Sequence, residues 1–291
     1  MKTITKDTKI LIVGLGVIGG SYAKALSKKG YRVRCITKEQ KDIDYALSLG
    51  IIEEGSTEVI PSLVADSDLI VFALYPHIFV EWIREYQSLF RSGTLITDVT
   101  GVKTSIVDEV QSILRPDVEF IAAHPMAGRE SSGVEYSDDR VFLGANFIVT
   151  PTERNTPEAI AVCRQLGELL GFARISELTP EEHDEMIAFL SQLTHCIAVT
   201  LMTSNEAPMM EKYTGDSFRD LTRIAKINDV MWSELFLLNR EALLAQMDAF
   251  SKEFERFRAL LANGDSEGMR ETMRRATARR TLFDKPKTEL K

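Results

Sequence analysis

Six residues near the amino terminus constrain this chain more than any others. Gly14-Leu15-Gly16-Val17-Ile18-Gly19 follows an apolar run from Lys9 to Val13 and leads into a helical segment over Ser21 to Lys29. Glycines at the first, third and sixth places permit a tight turn, close approach of backbone to a pyrophosphate, and close helix–strand contact. The helix N-terminus then offers amide donors and the positive end of its dipole to phosphate. A dinucleotide site built on Gly14, Leu15, Gly16, Val17, Ile18 and Gly19 is the first expectation.

The rest of the amino-terminal half fits that start. Apolar runs over Arg32–Ile36, Leu69–Leu74, Thr94–Val99, Val118–Ala123 and Asn146–Thr150 alternate with helical segments over Ile78–Phe90, Thr104–Leu114 and Pro157–Leu170. Strands that are apolar on both sides and alternate with helices predict an α/β fold. It is a Rossmann-like, doubly wound, mostly parallel sheet covered on both faces. After Ser176 the pattern turns purely helical. Thr179-Pro180-Glu181-Glu182 combines an N-cap threonine, a proline at the first helical position and a glutamate at the third. We therefore expect a dinucleotide-binding domain over residues 8–178 and a helical substrate and dimerisation domain over 179–291. A second helix is expected from Ser217 through Trp232, broken near Asn228-Asp229, and a long one ending at Asn263-Gly264. Along the long helix, Leu243, Met247, Phe250, Phe254, Phe257 and Leu261 alternate spacings of four and three, the seam of a helix that packs lengthwise on another. That seam serves either the domain's own core or a homodimer.

Charge and cysteines narrow the class. The 291 residues carry 35 Lys and Arg against 43 Asp and Glu, a net charge of −8, which argues against nucleic acid as a partner. The arginine-rich segment Glu267–Arg280 reads as a solvated helix face. No continuous apolar run reaches the roughly 20 residues of a membrane span. Cys35, Cys163 and Cys196 lie far apart without a pairing or metal-ligand spacing. They read as reduced thiols of a cytoplasmic protein, and no metal is expected.

Ligands of doubly wound sheets bind beyond the carboxyl ends of the strands. At the end of the second strand, Thr37 and Lys38 stand where an NAD site usually places an acid. A hydroxyl and an ammonium suit a 2′-phosphate, which favours NADP over NAD, while Glu39 is the alternative acid. Leu74 and Tyr75 end the strand Leu69–Leu74 and are expected to line the cofactor. His77 follows them with no feature beyond its place. His124 ends an apolar strand on a loop containing Pro125 and Gly128, where it suits an acid/base that takes a proton from a substrate hydroxyl as hydride leaves. His195 lies among Leu193, Cys196 and Ile197 inside the helix begun at Thr179. Arg223 is either an ion-pair partner of Asp220 or a bidentate clamp for a carboxylate. His183, at the start of the same helix as His195, reads as a surface or capping residue.

Taken in order, the glycine fingerprint, DVTGVK (Asp98 to Lys103), HPMAGRESSG (His124 to Gly133), EEHD (Glu181 to Asp184), SQLTH (Ser191 to His195) and FRDLTRIAKINDVMW (Phe218 to Trp232) resemble the prephenate dehydrogenases of tyrosine biosynthesis. The resemblance runs from about Lys9 past Trp232. It implies oxidative decarboxylation of prephenate to 4-hydroxyphenylpyruvate with hydride transfer to NAD(P)⁺. His124 would bond the ring hydroxyl, and Arg223, helped by Arg129, would anchor a carboxylate. His195 would sit at the substrate end of the cleft, Glu130 would gate or orient the site, and Trp232 would form a wall. The chain departs from the family at Gly101, where many members carry a serine, and Thr100 is the substitute hydroxyl for a catalytic and cofactor-facing role. The family layout also implies a homodimer through the helical domain. Alternatives from the same residues are an arogenate dehydrogenase, a β-hydroxyacid dehydrogenase (which would need a helical lysine) and a non-catalytic NAD(P)-sensing module.

Overall fold

A computed structural model describes residues 1–128 and 133–284. The chain forms two compact units, Met1–Asn239 and Arg240–Lys291. The first unit begins with β1 (Ile10–Val13), α1 (Val17–Lys28), β2 (Val33–Ile36), α2 (Gln40–Ser48), β3 (Glu54–Ser56), α3 (Pro61–Ala65), β4 (Leu69–Phe72) and α4 (Pro76–Tyr86). It continues with β5 (Leu95–Asp98), α5 (Thr104–Ile113), β6 (Glu119–Phe120), β7 (Ala122–Pro125), β8 (Asn146–Thr150), α6 (Pro157–Leu170) and β9 (Arg174–Glu177). Six strands form a parallel sheet in the order β3-β2-β1-β4-β5-β6. The strand order reverses between β1 and β4, which is where a doubly wound sheet opens its ligand crevice.

The expected burial on both faces follows from side-chain alternation. Ile10, Ile12, Val33, Cys35, Leu69 and Val71 face a core shared with α1 and α6. Leu11, Val13, Ile36, Ile70, Phe72 and Ile96 face the opposite core, built with α3, α4 and α5. Each fully buried side chain of this size contributes about 1.5–3 kcal/mol relative to exposure. In the second core Phe72 packs on Phe79 and Trp82 at ring separations of 4.7 and 4.9 Å.

The run Val118–Ala123, expected as one strand, divides. Glu119–Phe120 completes the parallel sheet, whereas Ala122–Pro125 pairs antiparallel with β8 in a separate three-stranded sheet, β7-β8-β9. The change of sheet falls at Ile121 and carries His124 out past the carboxyl edge of β5.

Beyond β9 the described residues are helical. α7 (Pro180–Ile187), a π-helical turn at Ala188–Gln192 and α8 (Leu193–Thr203) form one continuous helix. The Thr179 hydroxyl and the Glu182 carboxylate close the expected capping box. Pro180–Thr203 spans 24 residues and includes an 18-residue window of mean hydropathy 1.5 with 28% of it buried, long and apolar enough for a membrane span by length and composition only. Its apolar residues are interrupted by Ser191, Gln192, Thr194 and His195, so no continuous run announces it. The segment expected as a helix from Ser217 with a break near Asn228-Asp229 is α9 (Asp216–Thr222), a 3₁₀ turn at Arg223–Ala225, and α10 (Asp229–Leu238), which starts at that break and is capped by the Asn228 side chain on the Met231 amide at 3.0 Å.

The second unit consists of α11 (Arg240–Ala262), α12 (Ser266–Arg280) and a final 3₁₀ turn. The two helices form a hairpin, with Arg275 paired to Glu253 at 2.6 Å and Arg256 donating to Thr272 Oγ1 at 3.3 Å. Met247, Phe250, Phe254 and Leu261 of the predicted seam are exposed.

Candidate active site

The carboxyl edge of the sheet brings the glycine loop and the predicted catalytic segment to one level. Val13 is in register with Phe72, and Phe72 with Asp98, so Gly14, Ala73 and Val99 begin adjacent loops. Gly14 has φ +94°, and a β-carbon there would collide with the Ala73 carbonyl and Leu74. One on Gly19 would strike the Gly14 carbonyl. At Gly16, by contrast, a β-carbon would meet no protein atom within 4 Å. The loop thus leaves open the space beside Gly16, in front of the α1 N-terminus, which fits the pyrophosphate of a dinucleotide. Thr37 is half-buried and its Oγ1 accepts from the Leu15 amide at 3.3 Å, tying the end of β2 to the glycine loop. Lys38 and Glu39 are both exposed, and the Glu39 side chain makes no capping bond to α2.

Below the predicted base lies a buried polar core. Asp98 and Lys103 are both fully buried and paired at 2.7 Å. Lys103 Nζ also donates to the Ala123 carbonyl at 2.6 Å and to Thr100 Oγ1 at 3.2 Å. Asp98 accepts from the Ala123 amide at 3.1 Å, from the Thr100 amide at 3.0 Å and from the Thr100 hydroxyl. Burial pushes the Lys103 ammonium down from its ordinary value, and Asp98 opposes the shift. The Thr100 hydroxyl, expected to substitute for the family serine beside His124, is 4% exposed and bonds Asp98 and the Val102 carbonyl instead. It helps to hold the loop that runs under the site.

Gly101 is the open position in that loop. A β-carbon there would lie 3.6 Å from Leu235 Cδ1 and 3.9 Å from His124 Cε1, ordinary contact distances. Gly101→Ser is therefore expected to fold with a stability within about 1 kcal/mol of the parent. Urea denaturation would expose a larger loss.

His124 is partly buried, and its Nδ1 lies 2.8 Å from Nε2 of His183. His183 is fully buried, contrary to the expected surface or capping position, and its Nδ1 lies 2.8 Å from Asp184 Oδ1. Asp184 in turn accepts from the backbone amides of Lys103 and Thr104, each at 2.8 Å, at the start of α5. Burial, then the nearby His183 and Lys103, hold the His124 imidazole well below its ordinary value, so it is neutral near pH 7.

The other predicted substrate residues gather on the helices. His195 stacks on Trp232 with ring centroids 3.7 Å apart, and its Nδ1 meets the Ser191 carbonyl at 2.9 Å. Arg223 is exposed and opens the 3₁₀ turn that packs against α8, the helix carrying His195. Gln192 donates to the Leu235 carbonyl at 3.0 Å, and Asn239 donates to Gln192 at 2.8 Å and to the Asp184 carbonyl at 2.9 Å. These buried amides fix α10 against the π-helical turn. α10 therefore places Leu235 over Gly101 and Trp232 over His195. Arg129 and Glu130, expected to aid carboxylate binding and to gate the site, lie outside the described residues.

The turn after β4 is fastened to the same helical region. Tyr75 Oη accepts from Asn228 Nδ2 at 3.0 Å. The His77 amide donates to Glu234 Oε1 at 2.7 Å, and its Nδ1 lies 2.8 Å from Glu234 Oε2. His77, which had no distinguishing feature in the sequence, is thus one half of a clasp.

Comparison with known proteins agrees with this fold. Residues 22–176 match the family described as prephenate dehydrogenase, nucleotide-binding domain, and residues 179–275 match prephenate dehydrogenase, dimerization domain. The prephenate dehydrogenase of Bacillus subtilis is 31% identical over 273 residues, covering 91% of this chain and 72% of that protein. A cyclohexadienyl dehydrogenase of Zymomonas mobilis is 30% identical over 271 residues, covering 89% and 90% of the two chains. Among solved structures, the prephenate dehydrogenase of A. aeolicus, in complex with hydroxyphenyl propionate and NAD⁺, superposes with a TM-score of 0.88 at 30% identity. That match covers 97% of this chain and all of the other. With both domain types matched in sequence order and the fold shared along nearly its whole length, the chain belongs to the prephenate dehydrogenase family.

Proposed function

We propose that this chain oxidises and decarboxylates prephenate to 4-hydroxyphenylpyruvate, passing the hydride to NAD(P)⁺, as a step of tyrosine biosynthesis. The observation that carries the reading is a neutral His124, hydrogen-bonded from behind by His183, beyond the carboxyl edge of the sheet in a chain of this family. A bound nicotinamide supplies the hydride acceptor. His124 accepts the proton of the ring hydroxyl as the carbon beneath it is oxidised, and loss of the ring carboxylate as carbon dioxide completes the aromatic ring. Arg223 anchors a carboxylate, helped by Arg129, and the His195–Trp232 stack walls the substrate end. Glu130 orients the bound acid. The Asp98–Lys103 pair and Thr100 hold the loop against which these groups work.

Residues 8–178 are assigned to the dinucleotide and residues 179–291 to substrate and dimer contacts. The match of 179–275 to a dimerization domain supports a homodimer, as do the exposed Met186, Phe189, Leu190 and Met202 on the long apolar helix. A cytoplasmic location goes with this reading. A second reading is an arogenate dehydrogenase, whose substrate carries an amine where prephenate carries a ketone; a relative from Methanocaldococcus jannaschii, 22% identical over 284 residues, is named a probable arogenate/prephenate dehydrogenase.

The test is absorbance at the reduced-nicotinamide band with prephenate or arogenate, run with NAD⁺ and with NADP⁺. Reduction with prephenate supports the first reading; reduction with arogenate alone transfers it to the second, and silence with every pair overturns both. The exposed Lys38 at the end of β2 favours NADP. Lys38→Ala is therefore expected to lower the NADP⁺ rate about tenfold, the worth of one charge-assisted bond, and to spare the NAD⁺ rate. Equal loss with both cofactors would remove Lys38 from the 2′-phosphate.

A further inference from the structure

The hydrogen bonds behind His124 have a direction, and that direction can be traced from one end. Asp184 is the fixed point. Its two oxygens face the backbone N–H groups of Lys103 and Thr104, which can only donate. Burial alone would raise its carboxyl, but the bonds from His183 and the Thr104 amide hold it below the ordinary carboxylate value, so it is ionised and accepts only. The His183 nitrogen that faces it, Nδ1, must then carry a hydrogen.

His183 is fully buried, and burial lowers its imidazole against the opposing pull of Asp184. A neutral ring with its hydrogen on Nδ1 has a lone pair on Nε2. That lone pair faces His124 Nδ1 at 2.8 Å, with the two rings inclined at 64°. For a bond to exist there, His124 Nδ1 must be the donor. His124 is neutral as well, so its remaining nitrogen, Nε2, has no hydrogen.

We infer that Asp184 and His183 are positioning residues that set the tautomer of His124, presenting its Nε2 as a bare proton acceptor at the site. An imidazole side chain left to water prefers the opposite tautomer, with the hydrogen on Nε2. That form would turn a donor toward a substrate hydroxyl and could not take its proton. The chain of three side chains and two backbone amides reverses the preference before any ligand arrives. The charged groups facing this chain are Asp98, the last residue of β5, and Lys103 after it, and the Lys103 ammonium bonds Asp98, Thr100 and the Ala123 carbonyl rather than either histidine. The inference rests on the reading of His124 as the base, and its closing experiment separates the two.

The experiment is nitrogen-15 NMR of the full chain labelled at histidine, with the His124 signals assigned by their loss in His124→Asn, alongside steady-state kinetics of His183→Leu and His183→Gln. The wild-type ring should show its hydrogen on Nδ1. In His183→Leu the signals should move to the Nε2–H pattern, with kcat about 10²-fold lower and substrate KM within about twofold. In His183→Gln the amide oxygen reaches the place of Nε2 and accepts from His124, so the original pattern and most of kcat should return. A wild-type His124 protonated on Nε2 overturns the inference, as does a folded Gln variant no better than Leu. If the Leu variant fails to fold, the wild-type spectrum still decides. A correct tautomer in a protein that does not turn over prephenate keeps the relay and removes the proposed substrate.

Discussion

His124→Asn is expected to lower prephenate turnover by roughly 10²–10⁴-fold while leaving dinucleotide affinity unchanged. The asparagine amide can take the place of Nδ1 and keep the donor to His183, so the loop and the buried pair beneath it need not move. What it lacks is the second nitrogen. The substitution therefore removes the proton acceptor without opening a cavity or stranding the Asp184 carboxylate. The glycine loop and Thr37, which we propose meet the other end of the cofactor, are untouched. The rate of nicotinamide reduction gives the first quantity, and titration of the reduced cofactor's fluorescence gives the second. Turnover within a few-fold of the parent would remove His124 from proton transfer, and a parallel loss of cofactor affinity would place it in binding.

Asp98→Leu should be the most damaging substitution for stability, costing about 3–5 kcal/mol. Three donors converge on this carboxylate: the Lys103 ammonium at 2.7 Å, the Ala123 amide at 3.1 Å and the Thr100 amide at 3.0 Å, joined by the Thr100 hydroxyl. None can turn to water, because Asp98 and Lys103 are fully buried. Leucine would leave a buried ammonium with only the Ala123 carbonyl and the Thr100 hydroxyl as partners. Lys103→Met is the informative contrast. It leaves the carboxylate with its backbone donors and should cost about 1–3 kcal/mol, the penalty for one lost partner. Urea denaturation of both variants at one protein concentration gives the order. An Asp98→Leu protein as stable as the parent would mean that the pair does not hold this loop.

The fold was legible where chemistry and periodicity coincide. β1 and the glycine loop carry a steric requirement that few other residues meet, and the long apolar strands have no competing helical period. β3 and β9 were not foreseen, because Glu54-Gly55-Ser56 and Arg174-Ile175-Ser176-Glu177 are short and polar and pair only at the edge of a sheet already formed. The division of Val118–Ala123 was hidden for the opposite reason, since an unbroken apolar run has no mark where one sheet ends. In the site, His124 is visible from its place at the end of an apolar run, although the structure continues the strand through it to Pro125. His183 reads as a surface residue because four acids, Glu181, Glu182, Asp184 and Glu185, flank it at a helix start. A signal for it did exist. Pro180, His183, Asp184 and Ile187 lie at spacings of three, one and three, and these four are the buried face of α7. Reading the helix backward from Ile187 puts the histidine and the aspartate inside. Trp232 is legible only through the family pattern, which also chooses the clamp over the Asp220 ion pair for Arg223, since the neighbours of both come from α8.

The clasp at Tyr75 and His77 has a thermodynamic consequence for how two ligands would share this protein. The turn that carries both residues follows Ala73 and Leu74, which crowd Gly14, while their partners Asn228 and Glu234 flank Trp232. A dinucleotide that favours one position of the turn must favour one position of α10 as well. Linkage makes the exchange symmetrical: whatever factor the first ligand adds to the affinity of the second, the second returns to the first. The size of that factor is bounded by the clasp itself. His77 is half exposed, and solvent-screened contacts of this kind are worth about 0–1 kcal/mol, so each can transmit no more than roughly a fivefold change in affinity. Communication of that size orders the two binding events by preference and leaves either sequence open.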